Sequence, residues 1–282
     1  MTAVGVKTPE PFTIPCADGL FIRGEVYRPA ETVLGSVIVC HGFKGFAHWA
    51  FFPYLARSLA EAGLKAITFD FSGSGIGRDR ESFTEPDAFA GNTFSREQDD
   101  IENVYDYARR MKIIDKTFGL FGHSRGGGMA IIYTAGHASE VNSLVTWASI
   151  GRTNWWTPEE AVTWRKKGYA EVTNSRTGQV MRIDTDLLED VELHGATKLD
   201  IAAAAKKVKA PWLIVHGTGD ETVQSSEAER LHELSPGVST LRLIKNANHG
   251  FGATHPLIEV PPVLEKVVQE TVKFFVRNAT SR

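Results

Sequence analysis

The pentapeptide GHSRG at residues 122–126 follows directly on the apolar run TFGLF at residues 117–121. The apolar run predicts a buried strand, and the following stretch, 127–137, has the pattern of a helix. A serine on a sharp turn between a strand and a helix is exposed, and flanking glycines let the two backbones approach without a Cβ clash. Because a serine hydroxyl is a poor nucleophile until a base activates it, the pattern predicts a nucleophile at Ser124 if a base lies beside it.

The composition fits one large α/β domain or a domain that carries an insertion. The chain has 282 residues, of which 42% are hydrophobic, enough to bury a full core. A formal charge of −3 and the lack of a basic block make nucleic acid and anionic membranes poor candidate partners. No apolar run approaches the roughly 18 residues of a membrane span, and residues 1–10 are polar, without the apolar centre of a secretion signal. Cys16 and Cys40 form no disulfide framework, so we expect a reducing, cytoplasmic setting.

Predicted strands and helices alternate along most of the chain, which indicates a mostly parallel sheet flanked by helices. Residues 151–207 interrupt this alternation and carry Trp155, Trp156 and Trp164. Disordered segments are poor in aromatic residues, so this content favours a folded lid over a loose excursion. We therefore expect an α/β core formed by residues 1–150 and 208–282, with a cap inserted at 151–207.

Polar residues follow five of the predicted strands. Since ligands bind at the carboxyl ends of the strands in an open parallel sheet, these residues are expected to converge on one edge. Three of the strand ends carry Ser124, Asp220 and His249, in that order. His249 would accept the Ser124 proton and later give it to the leaving group. Asp220 would hold the imidazole in the right tautomer and stabilise the imidazolium.

The tetrahedral intermediate of such a reaction needs hydrogen-bond donors for its oxyanion. The backbone N–H of Arg125, directly after the nucleophile, is the first candidate donor. The second is expected from the turn after the strand at residues 36–40, at the backbone N–H of Phe43. Both roles belong to the main chain, so the side chains of Phe43 and Arg125 are free to shape the site.

Several apolar side chains close to these turns are candidates for the substrate pocket. We expect Phe46, Ile76 and Phe251 to line it, since each lies in a loop after a predicted strand. Trp155 and Trp156 could grip an apolar or aromatic acyl group, or they could belong to a small core of the cap. The sequence leaves both alternatives open.

Other histidines and carboxylates provide alternatives for the base and the acid. His255 is a second candidate base, and Asp70, at the end of a predicted strand, is a second candidate acid. We expect structural hydrogen bonds from three other histidines, because each lies beside a glycine turn or the nucleophile. They are His41, His123 and His216. The histidines and acids show no metal-ligand spacing, so we expect no metal and no cofactor.

Taken together, these residues resemble the α/β-hydrolase superfamily. The matching motifs are His41-Gly42-Phe43 for the oxyanion turn, GHSRG for the nucleophile turn, Asp220 within HGTGDETV and His249 within ANHGF. The resemblance covers about residues 12–276 and implies an α/β-hydrolase fold with an inserted cap. Within the superfamily the chain is most similar to capped esterases, such as the cinnamoyl and feruloyl esterases, and to serine aminopeptidase-like hydrolases. It lacks the H-G-G-G turn of some lipases and esterases, which argues against the bulky-alcohol substrates of that subgroup.

The ordered residues and the resemblance predict a serine hydrolase that cleaves carboxylic esters of small or aromatic acyl groups through an acyl-enzyme. The same residues would serve a thioesterase, a peptidase or amidase, or a cofactor-free perhydrolase or acyltransferase. A non-catalytic member of the fold that binds a ligand under its cap is an alternative of another class. We expect a small-molecule ester as the substrate, and a monomer or homodimer.

Overall fold

The computed structural model describes residues 6–16, 18–174 and 177–279. Residues 1–5, part of the polar stretch at 1–10, lie outside the described residues, as do positions 175 and 176 of the predicted cap. The strands are β1 (Glu10–Pro15), β2 (Phe21–Tyr27), β3 (Gly35–Cys40), β4 (Leu64–Asp70), β5 (Phe118–His123), β6 (Val141–Trp147), β7 (Tyr169–Thr173), β8 (Val180–Asp184), β9 (Trp212–Gly217) and β10 (Ser239–Ile244). The helices are α1 (Phe52–Glu61), α2 (Pro86–Ala90), α3 (Phe94–Arg110), α4 (Arg125–Gly136), α5 (Pro158–Lys167), α6 (Thr185–His194), α7 (Ile201–Ala205), α8 (Ser226–Leu234) and α9 (Pro262–Ala279). Within the described ranges, no helix combines the length and apolar character needed to cross a membrane.

Eight of these strands form one sheet in the order β1-β2-β4-β3-β5-β6-β9-β10. The six strands from β4 to β10 in that order are parallel to one another. At the opposite edge, β2 pairs antiparallel with both β1 and β4. The prediction of a mostly parallel sheet flanked by helices is confirmed.

Strand β3 shows why the central strands have continuous apolar sequences. Val37 and Val39 pack in a core shared with α1 and α9, whereas Ile38 and Cys40 pack in a core shared with α3 and α4. Successive side chains of a strand point to opposite faces, so a strand covered on both faces needs apolar residues throughout. Burying each large aliphatic side chain contributes about 1.5–3 kcal/mol.

The segment between β6 and β9 contains α5, β7, β8, α6 and α7. Strands β7 and β8 form a separate antiparallel pair. Trp164 of α5 is buried, donates a 3.0 Å hydrogen bond to a main-chain carbonyl of β8, and contacts the rings of Trp155 and Trp156. Helix α6 is attached to α3 through Ser95, whose backbone N–H (3.0 Å) and hydroxyl both donate to the Asp190 carboxylate. The segment therefore has an aromatic cluster of its own and a polar attachment to the sheet's helices.

The turn from β5 into α4 is packed tightly against the end of β3. A Cβ atom on Gly126 would lie 2.2 Å from the carbonyl oxygen of His41. A Cβ atom on Gly122 would lie 2.3 Å from the carbonyl oxygen of Gly126. Because backbone atoms cannot move aside as the end of a flexible side chain can, both positions require glycine.

We expect Gly126→Ala to lower the free energy of unfolding by about 3 kcal/mol or more, because the new methyl group would collide with the main chain of β3. The matched control is Gly136→Ala in the same helix, where a Cβ atom would meet nothing within 4 Å. That control should be neutral or stabilise by about 0.5–1 kcal/mol, since alanine is the better helix former. Denaturant unfolding of both variants checks this, and equal midpoints for Gly126→Ala and the wild type would contradict it.

Candidate active site

Ser124 lies at the turn between β5 and α4 in a strained backbone conformation. Its φ is 56° and its ψ is −120°, a combination that costs a non-glycine residue about 1–3 kcal/mol. The Ser124 N–H donates to the carbonyl of Trp147 (2.9 Å), and its carbonyl accepts from the N–H groups of Gly127 (3.0 Å) and Ile150 (3.2 Å). These hydrogen bonds hold the backbone from which the Ser124 hydroxyl projects.

Asp220 lies three residues beyond β9, and its carboxylate is fully buried. Its Oδ1 accepts from the backbone N–H groups of Thr222 (2.8 Å) and Val223 (3.0 Å). Its Oδ2 lies 2.7 Å from Nδ1 of His249 and 3.2 Å from Nε2 of His216. Burial alone would raise the pKa of Asp220, but the hydrogen bonds from His216 and His249 outweigh it and hold the pKa well below its usual range. Asp220 is therefore an ionised acceptor at neutral pH.

His249 lies in the loop between β10 and α9, and Nδ1 of its imidazole is hydrogen-bonded to the Asp220 carboxylate. The His249 carbonyl oxygen lies 3.0 Å from Nε2 of His123, the residue directly before Ser124. The rings of His123 and His249 are 4.6 Å apart between centroids. The structure thus brings the predicted base and the turn with the predicted nucleophile to the same edge of the sheet.

His123 is a buried neutral imidazole that connects these two loops. Burial, reinforced by the neighbouring His249, lowers the pKa of His123 from 6.5 to about 3. Since its partner is a carbonyl oxygen, the proton is assigned to Nε2, which donates to His249. His123 therefore holds the main chain that carries His249, the structural role that its place in the sequence indicates.

The turn after β3 lies directly against Ser124. His41 accepts the Phe71 N–H at Nε2 (3.2 Å) and donates from Nδ1 to the carbonyl of Gly42 (2.8 Å). A Cβ atom on Gly42 would lie 2.9 Å from the Cβ atom of Ser124. Phe43, the predicted source of an oxyanion donor, is the next residue along this turn, and it lines a cavity beside Ser124.

A cavity of about 510 Å³ lies beside Ser124. Phe43, Arg125 and Trp155 line it together with Ser124, so it joins four residues that the sequence singled out. Further lining residues that the sequence reasoning missed include Phe94, Ile150, Arg152, Val172, Glu221 and Glu227. Ile150 follows β6 and was detectable as a sixth strand end, whereas Phe94 and Val172 come from α3 and β7 and carry no sequence signal of this kind.

Phe46, Ile76 and Phe251, which the sequence predicts for the substrate pocket, are absent from the described residues that line this cavity. Each of them is at most 1% exposed. Phe46 packs edge-on against Phe83 at 6.2 Å, and Phe251 packs in the same way against Trp147 at 5.3 Å. These loops do lie after strands, but their aromatic and aliphatic side chains pack in the core, where burial stabilises them.

The two tryptophans of the predicted pocket are in contact, with ring centroids 5.3 Å apart, but only one of them lines the cavity. Trp155 lines the cavity. Trp156 packs on Trp164 at 5.2 Å and joins the larger hydrophobic core, and it is not among the described lining residues. Of the two alternatives that the sequence left open, contact with a bound group therefore suits Trp155, and core packing suits Trp156.

Asp70 and His255, the alternative acid and base, have other partners. Asp70 accepts the Ala47 N–H at Oδ1 (2.6 Å), and its Oδ2 lies 3.3 Å from Nε of Arg80. His255 accepts the Ala50 N–H at Nδ1 (3.0 Å). Both side chains therefore bind loop backbone after β3, which leaves Asp220 and His249 as the better supported pair.

A family model of the alpha/beta hydrolase fold matches residues 35–177. The chain belongs to this family. The α/β-hydrolase is 36% identical over 94 residues to an uncharacterized 31.7 kDa protein of Escherichia coli, covering 33% of this chain and 29% of that protein. It is 26% identical over 263 residues to an uncharacterized peptidase, YuxL, of Bacillus subtilis, covering 89% and 37% of the two chains. The matches thus span only about a third of the length of these curated relatives.

Solved structures share the fold of this α/β-hydrolase over nearly its whole length. Est1E of Butyrivibrio proteoclasticus with ferulic acid bound has a TM-score of 0.71 and 20% identity, over 95% of this chain and 98% of that chain. A monoacylglycerol lipase of Paleococcus ferrophilus has a TM-score of 0.67 and 18% identity, over 92% of this chain and 99% of that chain. At such identities the likeness establishes the fold, and the resemblance inferred from the sequence is confirmed at that level.

We expect stability to decline as the pH falls from 6.5 towards 3, with His123 contributing up to about 1.4 kcal/mol per pH unit. The pKa of His123 is about 3 in the folded state, so below pH 6.5 the unfolded chain binds a proton that the folded chain does not. His123→Gln, which keeps a side-chain N–H donor, should remove this part of the slope.

Denaturant unfolding at several pH values measures the slope for each variant. His232→Gln is the control, because it removes an imidazole that is exposed. Among the described residues, the hydrogen-bond partner of His232 Nδ1 is the Ser239 hydroxyl. An unchanged slope in His123→Gln would show that His123 is protonated equally in both states.

Proposed function

We propose that this α/β-hydrolase cleaves carboxylic esters through an acyl-enzyme formed on Ser124, with His249 as the base and Asp220 as its partner. The observation that carries this proposal is the 2.7 Å contact between Asp220 and Nδ1 of His249, beside a serine in a strained turn. An imidazole that donates from Nδ1 to a carboxylate has an unprotonated Nε2, which is the form that a general base needs.

The first half of the reaction transfers the acyl group to the enzyme. The Ser124 Oγ bonds to the ester carbonyl carbon while its proton passes to Nε2 of His249, and Asp220 stabilises the resulting imidazolium. The backbone N–H groups of Phe43 and Arg125 donate to the oxyanion, and losing one such donor typically costs about 10²–10³ in rate. The bond to the alcohol oxygen then breaks, and Nε2 returns the proton to the departing alcohol.

The second half releases the acid and regenerates the enzyme. Water gives a proton to Nε2 of His249 and adds to the carbonyl carbon of the acyl-enzyme. The bond to the Ser124 Oγ breaks, Oγ recovers its proton from Nε2, and the carboxylic acid leaves. Every step uses groups of the chain, the ester and water, so no cofactor enters the scheme.

The cavity supports a small or aromatic acyl group as the substrate class. Phe43, Phe94 and Trp155 present three aromatic side chains around it, and Ile150 adds an aliphatic one. Trp155 and Val172 belong to residues 151–207, which we propose act as a cap over the core formed by residues 1–150 and 208–282. The ferulic acid in the Est1E structure shows that the same fold can hold an aromatic acid.

Ser124→Ala is expected to lower the turnover of p-nitrophenyl acetate by about 10⁴-fold or more and to abolish labelling by a fluorophosphonate probe, which reacts only with an activated serine. Ser149→Ala is the matched control, because Ser149 is buried close to the same turn but bonds to the carbonyl of Ile150. Circular dichroism and thermal unfolding verify that both variants fold. Retained turnover in folded Ser124→Ala would contradict the proposal, and an unlabelled wild type would favour a non-catalytic ligand-binding protein.

Asp220→Asn is expected to lower kcat by about 10³–10⁴-fold, because an amide can present its N–H₂ group to Nδ1 and favour the wrong tautomer of His249. Asp70→Asn is the matched control, since it neutralises a buried carboxylate at another strand end. Steady-state kinetics with p-nitrophenyl acetate give kcat for both folded variants. A larger loss in Asp70→Asn than in Asp220→Asn would contradict the assignment of the acid.

A further inference from the structure

The Arg125 guanidinium is buried beside the proposed nucleophile. Arg125 directly follows Ser124, opens α4 and lines the same cavity. Its side chain is only 6% exposed. Burying a guanidinium is costly, so its surroundings and its unused donors indicate what it binds.

Aromatic rings and one carboxylate hold the guanidinium in place. Its Cζ lies 4.0 Å from the ring centroid of Phe94 and 5.5 Å from that of Phe43. Its Nε forms an ion pair with Oε1 of Glu97 at 2.9 Å, and that oxygen accepts a 2.8 Å hydrogen bond from Nδ2 of Asn92. The Arg125 plane is therefore oriented before any substrate arrives.

This arrangement leaves donor capacity unused. Arginine has five N–H donors in a fixed fork. Nε and Nη2 of Arg125 are both buried with no hydrogen-bond partner among the described residues, and so is Oε2 of Glu97. A buried donor without an acceptor is destabilising, and more so when the group is charged. An acceptor oxygen on a molecule in the cavity would relieve that cost.

The proposed mechanism assigns the cavity to the acyl side of the scissile bond. In the proposed mechanism His249 gives its proton to the departing alcohol, so the alcohol must lie next to His249. Ser124 and Arg125 line the cavity, whereas His249 is not among the described residues that do so. The part of the substrate that enters the cavity is therefore the acyl chain.

The charges around the cavity favour a neutral acceptor over a carboxylate. Glu97 already compensates the charge of Arg125 at 2.9 Å. Glu221 and Glu227 also line the cavity, and Arg152 lies 3.6 Å from Glu227. Two glutamates and two arginines line the cavity, and Glu97 and Arg230, which pair with them from outside, add one charge of each sign. The arginines are therefore already compensated and leave no excess positive charge for a carboxylate, whereas a ketone or hydroxyl oxygen needs only the free donor.

We propose that the Arg125 side chain is a specificity-determining group that donates a hydrogen bond to a neutral oxygen, a keto or hydroxyl group, on the acyl chain of the substrate. This inference rests on the proposed ester hydrolysis at Ser124. The preferred substrates are then esters of oxygenated acids, and their hydrocarbon counterparts are poorer because they leave Nη2 without an acceptor.

The test compares matched p-nitrophenyl esters on the wild-type protein. The 4-oxopentanoate and the 4-methylpentanoate differ in whether an oxygen or a methyl group is attached to the fourth carbon, and the succinate monoester adds a carboxylate. Each kcat/KM is divided by the rate of alkaline hydrolysis of the same ester, which removes its intrinsic reactivity. We expect the oxo ester to exceed the methyl ester by about tenfold or more, as befits a hydrogen bond to a charged donor, and to exceed the succinate as well.

Variants then assign the preference to Arg125. The double variant Arg125→Met with Glu97→Gln removes both buried charges together, and its ratio of oxo to methyl ester should fall to about one. Glu97→Gln alone keeps the guanidinium and should keep the preference. The readout is the ratio of two substrates in one protein, so a general loss of activity does not imitate the result.

Three results would overturn the inference: a wild-type ratio near one, faster hydrolysis of the succinate than of the oxo ester, or a full preference in the folded double variant. A wild-type ratio near one overturns the inference even if the variants fail to fold. Running Ser124→Ala on the same esters separates this inference from the proposed function. Turnover that survives in Ser124→Ala rejects the proposed function, whereas Ser124-dependent turnover without a preference rejects only the role of the Arg125 side chain.

Discussion

The close approach of the β5–α4 turn to its two neighbouring strands is the constraint on which the rest of the site depends. Gly126 allows contact with the end of β3, and Gly127 allows contact with Ser149 just beyond β6, where a Cβ atom would lie 2.7 Å from the Ser149 Cβ. With no side chains to separate these backbones, Ser124 lies against the turn that carries Phe43. The same approach places the first side chain of α4, that of Arg125, in the cavity.

A second constraint is the buried carboxylate of Asp220. A charge without water must be compensated by hydrogen bonds, and here two backbone N–H groups and two imidazoles supply them. His216 at the end of β9 also contacts the Val223 carbonyl at 2.8 Å, which joins the strand end to the loop that follows Asp220. The network that compensates the charge of Asp220 therefore also sets the position of His249. The low pKa of Asp220, the geometry of the loop that follows it and the proposed role of His249 all depend on this one set of hydrogen bonds.

The parts of the site that sequence reasoning placed correctly depend on local chain properties. Continuous apolar runs mark β3 and β5, and glycines mark the turns that follow them, so the edge of the sheet and the order of its polar residues were predictable. The side chains that line the cavity were not predictable from the sequence, and Phe46 and Phe251 illustrate the reason. Both lie in loops at that edge, but whether an aromatic side chain faces a cavity or the core depends on the neighbours packed against it.

The sequence by itself determined the mostly parallel sheet, the family, and the strand ends that carry Ser124, Asp220 and His249, because these depend on periodicity, glycines and chain order. Only the tertiary structure decided what surrounds them. Glu97 and Phe94 of α3 reach Arg125, and Val172 of β7 reaches the cavity, from positions distant in the chain. Such contacts arise when separate elements pack together, and no local pattern encodes the direction in which a given side chain then points.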